Sequence, residues 1–177
     1  MKWYAKTWIV VVAIILSVCL VVLFHLLMDG DGIVHAEDIE THARTFQNIP
    51  DEWLSETSIG DEVAVLVFYP PDSSDAVYSV YCHKRNGGFG YSFRAGGKIS
   101  SVKSGITRFR IDGCAEYAYV SLNVQKINKL IVDDGSNPST IPLDSSRPFA
   151  IVLPLNAGNI FFYDMEGNKM EIVERNL

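Results

Sequence analysis

An apolar segment near the amino terminus constrains this chain more than any other feature. Residues 8–28 read WIVVVAIILSVCLVVLFHLLM and contain no Asp, Glu, Lys or Arg. Because an α-helix rises about 1.5 Å per residue, a segment of this length makes a helix of about 31 Å, close to the roughly 30 Å hydrocarbon core of a bilayer. The sequence therefore predicts a single transmembrane helix, with the lipid bilayer as its partner.

The charges on either side of the segment predict its orientation. Lys2 and Lys6 precede it, whereas Asp29 and Asp31 follow it. An excess of Lys and Arg in a short flank favours the cytoplasmic side of a membrane. We therefore expect residues 1–7 to form the cytoplasmic stub of a single-pass cell-membrane protein. Everything after the helix is expected to lie outside the cytoplasm.

Two other interpretations compete with a retained signal anchor. Val34–Ala36 places small or apolar residues at the positions that a signal peptidase inspects, but cleavable apolar regions usually run to about 7–15 residues. Leu16–Cys19 resembles the lipobox of lipoproteins only weakly, because Val18 stands where a small residue is expected. The length of the apolar segment favours the retained anchor.

The net charge of −6 is unevenly spread. Residues 29–62 hold ten acidic side chains and one basic one, whereas residues 76–111 hold seven basic side chains and no acidic one. Net acidity and a place outside the cytoplasm exclude nucleic acid as a partner, because its binding requires a face that neutralises many phosphates. The acidic residues predict a spacer over residues 29–60, with one short helix at Glu37–Phe46.

After Gly60 the pattern becomes typical of β-strands. Val63–Tyr69 is a continuous apolar run, and Val77–His83 alternates so that Tyr78, Val80 and Cys82 share one face. Asn86-Gly87 predicts a tight hairpin turn that leads into a strand with alternating aromatic residues, Phe89–Arg94. Further strands are predicted at Lys98–Lys103, Ile106–Ile111, Ala115–Leu122, Lys126–Val132, Pro148–Leu153, Asn159–Tyr163 and Lys169–Val173.

Many short strands without a long helical period favour an all-β domain over residues 61–177. The predicted fold class is an antiparallel β-sandwich or a barrel, preceded by one short helix and the transmembrane helix. We expect the last two predicted strands to pair as a hairpin, because Asp164–Asn168 between them contains a turn glycine.

Cys82 and Cys114 are the two thiols that follow the apolar segment. A disulfide between them would close a loop of about 32 residues and contribute about 3–4 kcal/mol to stability. Both also fit inward positions on strands, so two buried free thiols are equally compatible with the sequence. The absence of C-x-x-C removes support for a zinc ribbon or a thioredoxin-type motif.

No residue pattern announces catalysis, a cofactor or a metal ion. Ser100–Lys103 contains S-x-x-K by chance, and His83 is the one histidine in the predicted β domain. The possible metal ligands cluster without a zinc-binding spacing, at His35, Glu37, Asp38 and His42. We predict neither a metal site nor a cofactor.

A basic surface is the remaining candidate for a site. Strand pairing would bring four cations onto one outer face, suited to the carboxylate or phosphate groups of an anionic envelope polymer or of an acidic protein partner: Arg94, Lys98, Arg108 and Arg110.

These observations favour a membrane-anchored, non-catalytic binding module of a cell envelope, most consistent with bacteria. The alternative is a small envelope hydrolase that acts on cell-wall or surface polymer. The alternative requires a concave pocket in which His83 or paired acids converge, whereas a binding module requires only a contiguous basic or aromatic face.

Overall fold

A computed structural model describes residues 16–20, 32–72, 75–83, 90–99 and 105–177. The chain divides into two compact units, Met1–Ile33 and Val34–Leu177. In the first unit residues 16–20 are helical. The rest of the expected membrane span, residues 8–28, lies outside the described residues, and no helix within them is long and apolar enough to cross a membrane.

The second unit begins with a short helical region and continues as strands. A single 3₁₀ turn, Ala36–Asp38, leads into helix α1, Ile39–Gln47. The strands are β1 (Leu54–Ile59), β2 (Val63–Tyr69), β3 (Val77–His83), β4 (Tyr91–Lys98), β5 (Ile106–Arg110), β6 (Glu116–Ser121), β7 (Ile127–Asp133), β8 (Ser139–Pro142), β9 (Phe149–Pro154), β10 (Asn159–Asp164) and β11 (Ile172–Asn176).

The strands form three sheets. Sheet I has the order β1-β2-β3-β4, sheet II the order β11-β5-β6-β9, and sheet III the order β10-β7-β8. Every strand pair in these sheets is antiparallel except β11 with β5, which is parallel. The prediction of an all-β fold with antiparallel sheets is confirmed.

Strand β2 is buried along its whole length because both faces of sheet I are covered. Val63, Val65 and Val67 pack into a core with Phe109 and Val120 of sheet II. The alternate residues of β2 pack on the opposite face, against α1. A strand that is covered on both faces requires a continuous apolar run, which explains its sequence.

The outer face of sheet II is covered in turn by sheet III. Ile106 and Tyr119 of sheet II share a core with Leu130 and Phe162 of sheet III. The layers therefore follow the order α1, sheet I, sheet II, sheet III. Sheets I and II form the predicted sandwich-like pair, and sheet III is an additional layer that the sequence did not indicate.

The segment expected to be an acidic spacer, residues 29–60, belongs largely to the second unit. Strand β1 pairs with β2 over six residues, from Leu54↔Tyr69 to Ile59↔Ala64. Ile39 and Ala43 of α1 are fully buried against sheet I. Four of the described acidic side chains are exposed, at Glu37, Asp38, Asp51 and Glu52, and the compact unit begins at Val34 rather than at residue 61.

The carboxyl-terminal strand does not form the expected hairpin with β10. After a single bridge, Tyr163↔Lys169, the chain leaves sheet III, and β11 joins the edge of sheet II beside β5. Two other expectations, the Asn86-Gly87 turn and the strand segment at residues 100–103, lie outside the described residues.

Candidate functional site

The four cations of the predicted basic face lie on two different sheets. Arg94 and Lys98 belong to β4, and Lys98 lies opposite Val77 on the face of sheet I that carries α1. Arg108 and Arg110 belong to β5, on the face of sheet II that carries sheet III. The structure therefore brings Arg108 and Arg110 together and places Arg94 and Lys98 on the opposite side of the sandwich.

Both cations of β4 have local structural roles. On β4, Ala95 pairs with Val80 and Phe93 pairs with Tyr81, so Arg94 between them has no cross-strand partner. Arg94 is therefore the extra residue of a β-bulge, and it is exposed. Lys98 forms an ion pair with Asp75 at 2.8 Å. Bulges and charges on an edge strand discourage pairing with other chains, which accounts for both residues.

Arg108 lies at the centre of a polar group on sheet II. Its cross-strand neighbours are Glu174 on β11 and Tyr119 on β6. The guanidinium forms an ion pair with Glu174 and lies over the ring of Tyr117, 4.6 Å from the ring centre. Since the side chains of Arg108 and Glu174 are 29% and 35% exposed, solvent screens this pair in part.

Two buried polar atoms in this group lack partners. Among the described residues neither Arg108 Nε nor the Tyr119 hydroxyl forms a hydrogen bond. The side chain of Tyr119 is fully buried and lies directly across the strand pair from Arg108, close enough for the two groups to affect each other's pKa. Buried polar atoms are nearly always paired in proteins, so two adjacent exceptions mark this place as a candidate site.

Both groups retain the proton that they need as donors. Burial raises the pKa of the Tyr119 hydroxyl, although the neighbouring Arg108 acts to lower it. Burial acts to lower the pKa of the Arg108 guanidinium, but its interactions with Glu174 and Tyr119 outweigh burial, and the pKa is raised. At neutral pH Tyr119 therefore keeps its O–H and Arg108 its positive charge, so both groups are hydrogen-bond donors of the kind that an oxygen anion accepts from.

Arg110 extends this site to the surface. It lies opposite Tyr117 on β6 and Asn176 on β11, and its side chain is exposed. No ion pair to Arg110 is found in the part of the chain that the structure describes. We call Arg108, Arg110, Tyr117 and Tyr119 the arginine–tyrosine site.

No match was found among protein-family models, curated proteins or solved structures. The candidate function of this site therefore depends on its own geometry.

The sequence indicated only half of this site. Alternation along β5 placed Arg108 and Arg110 on one face, as observed. Tyr117 and Tyr119 were not singled out in the sequence, because only the pairing of β5 with β6 brings these tyrosines beside the arginines. Glu174 was missed because β11 was expected in a hairpin with β10.

Cys82 and Cys114 are joined as a disulfide. Cys82 lies on β3 in sheet I, and Cys114 precedes β6 of sheet II, so the bond links the two layers of the sandwich. The remaining cysteine, Cys19, is a free thiol.

The other predicted chemical candidates have packing roles. His83 lies edge-on to the ring of Tyr91, with the ring centres 5.4 Å apart. His42 Nδ1 lies 2.8 Å from the buried Tyr81 hydroxyl and forms a hydrogen bond with it. In the residues that the structure describes, no three His, Cys, Asp or Glu side chains are placed to hold a metal ion.

A shallow depression contains paired acids, which the alternative hydrolase would require. Its lining includes Glu62, Glu116 and Asn156. The carboxylate oxygens of Glu116 accept three hydrogen bonds from backbone N–H groups, and the carboxylate of Glu62 accepts one from Ala115. These contacts assign both acids a structural role, so the depression does not favour catalysis.

Proposed function

We propose that the unit Val34–Leu177 is a non-catalytic binding module that takes an anionic envelope polymer at the arginine–tyrosine site. The supporting observation is the pair of buried, unpartnered donors, Arg108 Nε and the Tyr119 hydroxyl. A carboxylate or phosphate oxygen that accepts from both donors would remove the cost of leaving them unpaired, about 1–3 kcal/mol for each.

Arg110 supplies a second guanidinium group to the proposed ligand. Its exposed guanidinium lies on the same face as Arg108, two residues along β5. Two guanidinium groups on one face provide several N–H donors, and the planar fork of each guanidinium matches carboxylate and phosphate oxygens.

A polymer is favoured over an acidic protein as the source of the anion. The exposed residues of β11 beside the site, Glu174 and Asn176, are polar. Protein interfaces usually have an apolar centre within a polar rim, which this surface lacks. An acidic protein partner is therefore the second candidate, and the binding experiment distinguishes the two.

The location of the module is part of the proposal. We propose that residues 8–28 anchor the chain in the cell membrane, with the amino terminus in the cytoplasm and the second unit outside it. The support is the length of the uncharged apolar segment and the charges of its flanks. Release of the full chain from vesicles by carbonate, or protection of the second unit from protease added to intact cells, would overturn this placement.

Binding is tested with the full chain in detergent micelles and three anionic probes. Polyglutamate presents peptide carboxylates, polygalacturonate presents sugar carboxylates, and polyphosphate presents phosphates. We expect a probe to bind with an affinity that falls with salt, and Arg110→Gln or Tyr119→Phe to weaken that binding by about tenfold or more, the value of one charge-assisted hydrogen bond.

Arg94→Gln is the matched control, because Arg94 is an exposed arginine on the opposite side of the sandwich. If Arg94→Gln weakens binding as much as Arg110→Gln, attraction is general and the proposed site is wrong. If polyglutamate is the one probe that binds tightly, an envelope polymer is the wrong ligand and an acidic protein is the partner.

A further inference from the structure

The outer face of sheet III carries aromatic and basic residues from β7, from β10 and from the segment that follows β10. Phe161 of β10 lies opposite Ile131 of β7, and Tyr163 lies opposite Lys129. The alternate residues of both strands, such as Phe162 and Leu130, point into the core shared with sheet II. Phe161, Tyr163, Ile131 and Lys129 therefore point away from that core and are half-buried.

Two lysines lie against the aromatic rings of this face. The Lys169 Nζ lies 4.1 Å from the ring centre of Phe161, and the Lys129 Nζ lies 5.3 Å from that of Tyr163. The rings attract the ammonium groups and keep them close to the sheet rather than extended into water. We call these five residues the lysine–aromatic face: Lys129, Ile131, Phe161, Tyr163 and Lys169.

No other described strand or helix packs on the outer side of sheet III. Its core contacts are with sheet II alone, and the short edge strand β8 is exposed at every residue. An aromatic surface that remains in contact with solvent commonly marks a place of interaction. The face is one side of a sheet, so a ligand that reaches both lysines must lie along it.

We infer that the lysine–aromatic face binds an extended polymer of carboxylated sugars. Lys129 and Lys169 supply two cations for carboxylates. The rings of Phe161 and Tyr163, with Ile131 on β7 opposite Phe161, supply apolar surface for the C–H faces of sugar rings. On binding, each ammonium moves from its ring to a carboxylate, and the ring face becomes available to a sugar.

The alternative of an acidic peptide fits this face less well. A flexible peptide loses backbone freedom when it is ordered on a flat surface, whereas a sugar ring is already rigid. A peptide rich in carboxylates also offers little flat apolar surface to Phe161 and Tyr163. Polar neutral sugars would stack on the rings but leave both lysines without an anionic partner.

This inference does not depend on the arginine–tyrosine site, and its test keeps the two apart. All proteins in the test are full chains in micelles that carry Arg110→Gln, so that the proposed site on sheet II is weakened. Affinity is measured by titration calorimetry with polygalacturonate, dextran and polyglutamate. We expect polygalacturonate to bind at least about tenfold more tightly than the other two probes.

Substitutions then assign the binding to the face. The double variant Lys129→Gln/Lys169→Gln and the single variant Tyr163→Leu should each reduce polygalacturonate affinity by about tenfold or more. The control is Arg94→Gln/Lys98→Gln, which removes two positive charges from β4 and should leave the affinity unchanged.

Equal loss in the control and in the lysine variant would overturn the inference, as would equal binding of polyglutamate or an unchanged affinity in Tyr163→Leu. Circular dichroism spectra that match the parent protein establish that a loss of binding is not a loss of folding. A negative result here leaves the arginine–tyrosine site untouched, because that site is tested with Lys129 and Lys169 intact.

Discussion

The side chains of Glu62 and Glu116 each bind the backbone of the segment that carries the other. The buried Glu116 carboxylate on β6 accepts hydrogen bonds from the N–H groups of Asp61, Glu62 and Val63 at 2.8–3.0 Å. The Glu62 carboxylate accepts a hydrogen bond from the N–H of Ala115. This reciprocal contact joins the start of β2 in sheet I to the start of β6 in sheet II.

Gly60 is required by this contact. A Cβ atom added at Gly60 would lie 2.5 Å from both carboxylate oxygens of Glu116, which its hydrogen bonds hold in place. We expect Gly60→Ala to lower the free energy of unfolding by about 2 kcal/mol, since the carboxylate must move away from the backbone donors. Urea unfolding measures this loss.

Gly105→Ala provides the control. A Cβ atom added at Gly105 would have its nearest contact with the Glu171 carbonyl oxygen, at an ordinary van der Waals distance of 3.9 Å. If the two alanine variants have the same unfolding midpoint, the carboxylate at Gly60 is mobile and does not hold the sheets together.

Glu116→Gln tests the charge of the same contact. An amide offers one acceptor oxygen, and its NH₂ group would face backbone N–H donors, so part of the hydrogen bonding is lost. We expect a loss of about 2 kcal/mol in the free energy of unfolding. Glu166→Gln in an exposed turn should be neutral. A neutral result for Glu116→Gln would mean that the charge of Glu116 is unimportant for the contact.

Local pattern was sufficient to place several strands. Val63–Tyr69 and Val77–His83 were predicted with the bounds that the structure has, because both segments are rich in β-branched and aromatic residues and are bounded by turn residues. Strand β1, with the sequence LSETSI, was missed because its polar residues resemble a linker. It becomes a strand through its pairing with the apolar β2, which is a tertiary effect.

Pairing between distant strands was not predictable in the same way. The basic face required β4 and β5 to share a sheet, but β4 closes sheet I and β5 lies in sheet II. The parallel pairing of β11 with β5 joins residues about 66 positions apart, such as Arg108 and Glu174. No local periodicity reports such a contact, so Glu174 and Tyr119 could not be assigned to the site.

The disulfide should be a major contributor to stability. Cys82 and Cys114 are separated by 32 residues. Closing such a loop lowers the conformational entropy of the unfolded chain and so stabilises the folded state by about 3–4 kcal/mol. The double variant Cys82→Ser/Cys114→Ser should therefore lower the free energy of unfolding by that amount. The control is Cys19→Ser, which removes the free thiol. Equal unfolding midpoints for wild type and the double variant would contradict a disulfide in the native protein.

Tyr81 should make the protein sensitive to alkali. Burial raises the pKa of its hydroxyl above the ordinary value of 10.0. The folded state therefore favours the protonated form, so this contribution is complete below about pH 10 and is lost as pH rises towards the folded pKa. Burial likewise raises the pKa of Tyr69 and Tyr91.

Tyr81→Phe separates the contribution of this residue. At neutral pH the variant should be less stable by about 1 kcal/mol, because it loses the hydrogen bond with His42. Above about pH 10 wild type should lose stability relative to the variant by about 1.4 kcal/mol per pH unit, so the order of stability reverses within about one pH unit, since the variant has no hydroxyl to ionise at this position. A difference that stays constant into alkali would show that Tyr81 does not titrate differently in the two states.

Tyr119→Phe should change the stability at neutral pH in the direction opposite to Tyr81→Phe. The Tyr119 hydroxyl is buried and has no hydrogen-bond partner in the described residues, so its removal relieves a cost instead of breaking a bond. We expect the ligand-free variant to be as stable as wild type or more stable by about 1 kcal/mol. With an anionic ligand present the order should reverse, because a ligand that uses the hydroxyl stabilises only the wild type through binding. Thermal unfolding with and without ligand measures both differences. If Tyr119→Phe instead lowers ligand-free stability by 1 kcal/mol or so, the hydroxyl is already bonded within the protein, and the arginine–tyrosine site has no free donor there for a ligand.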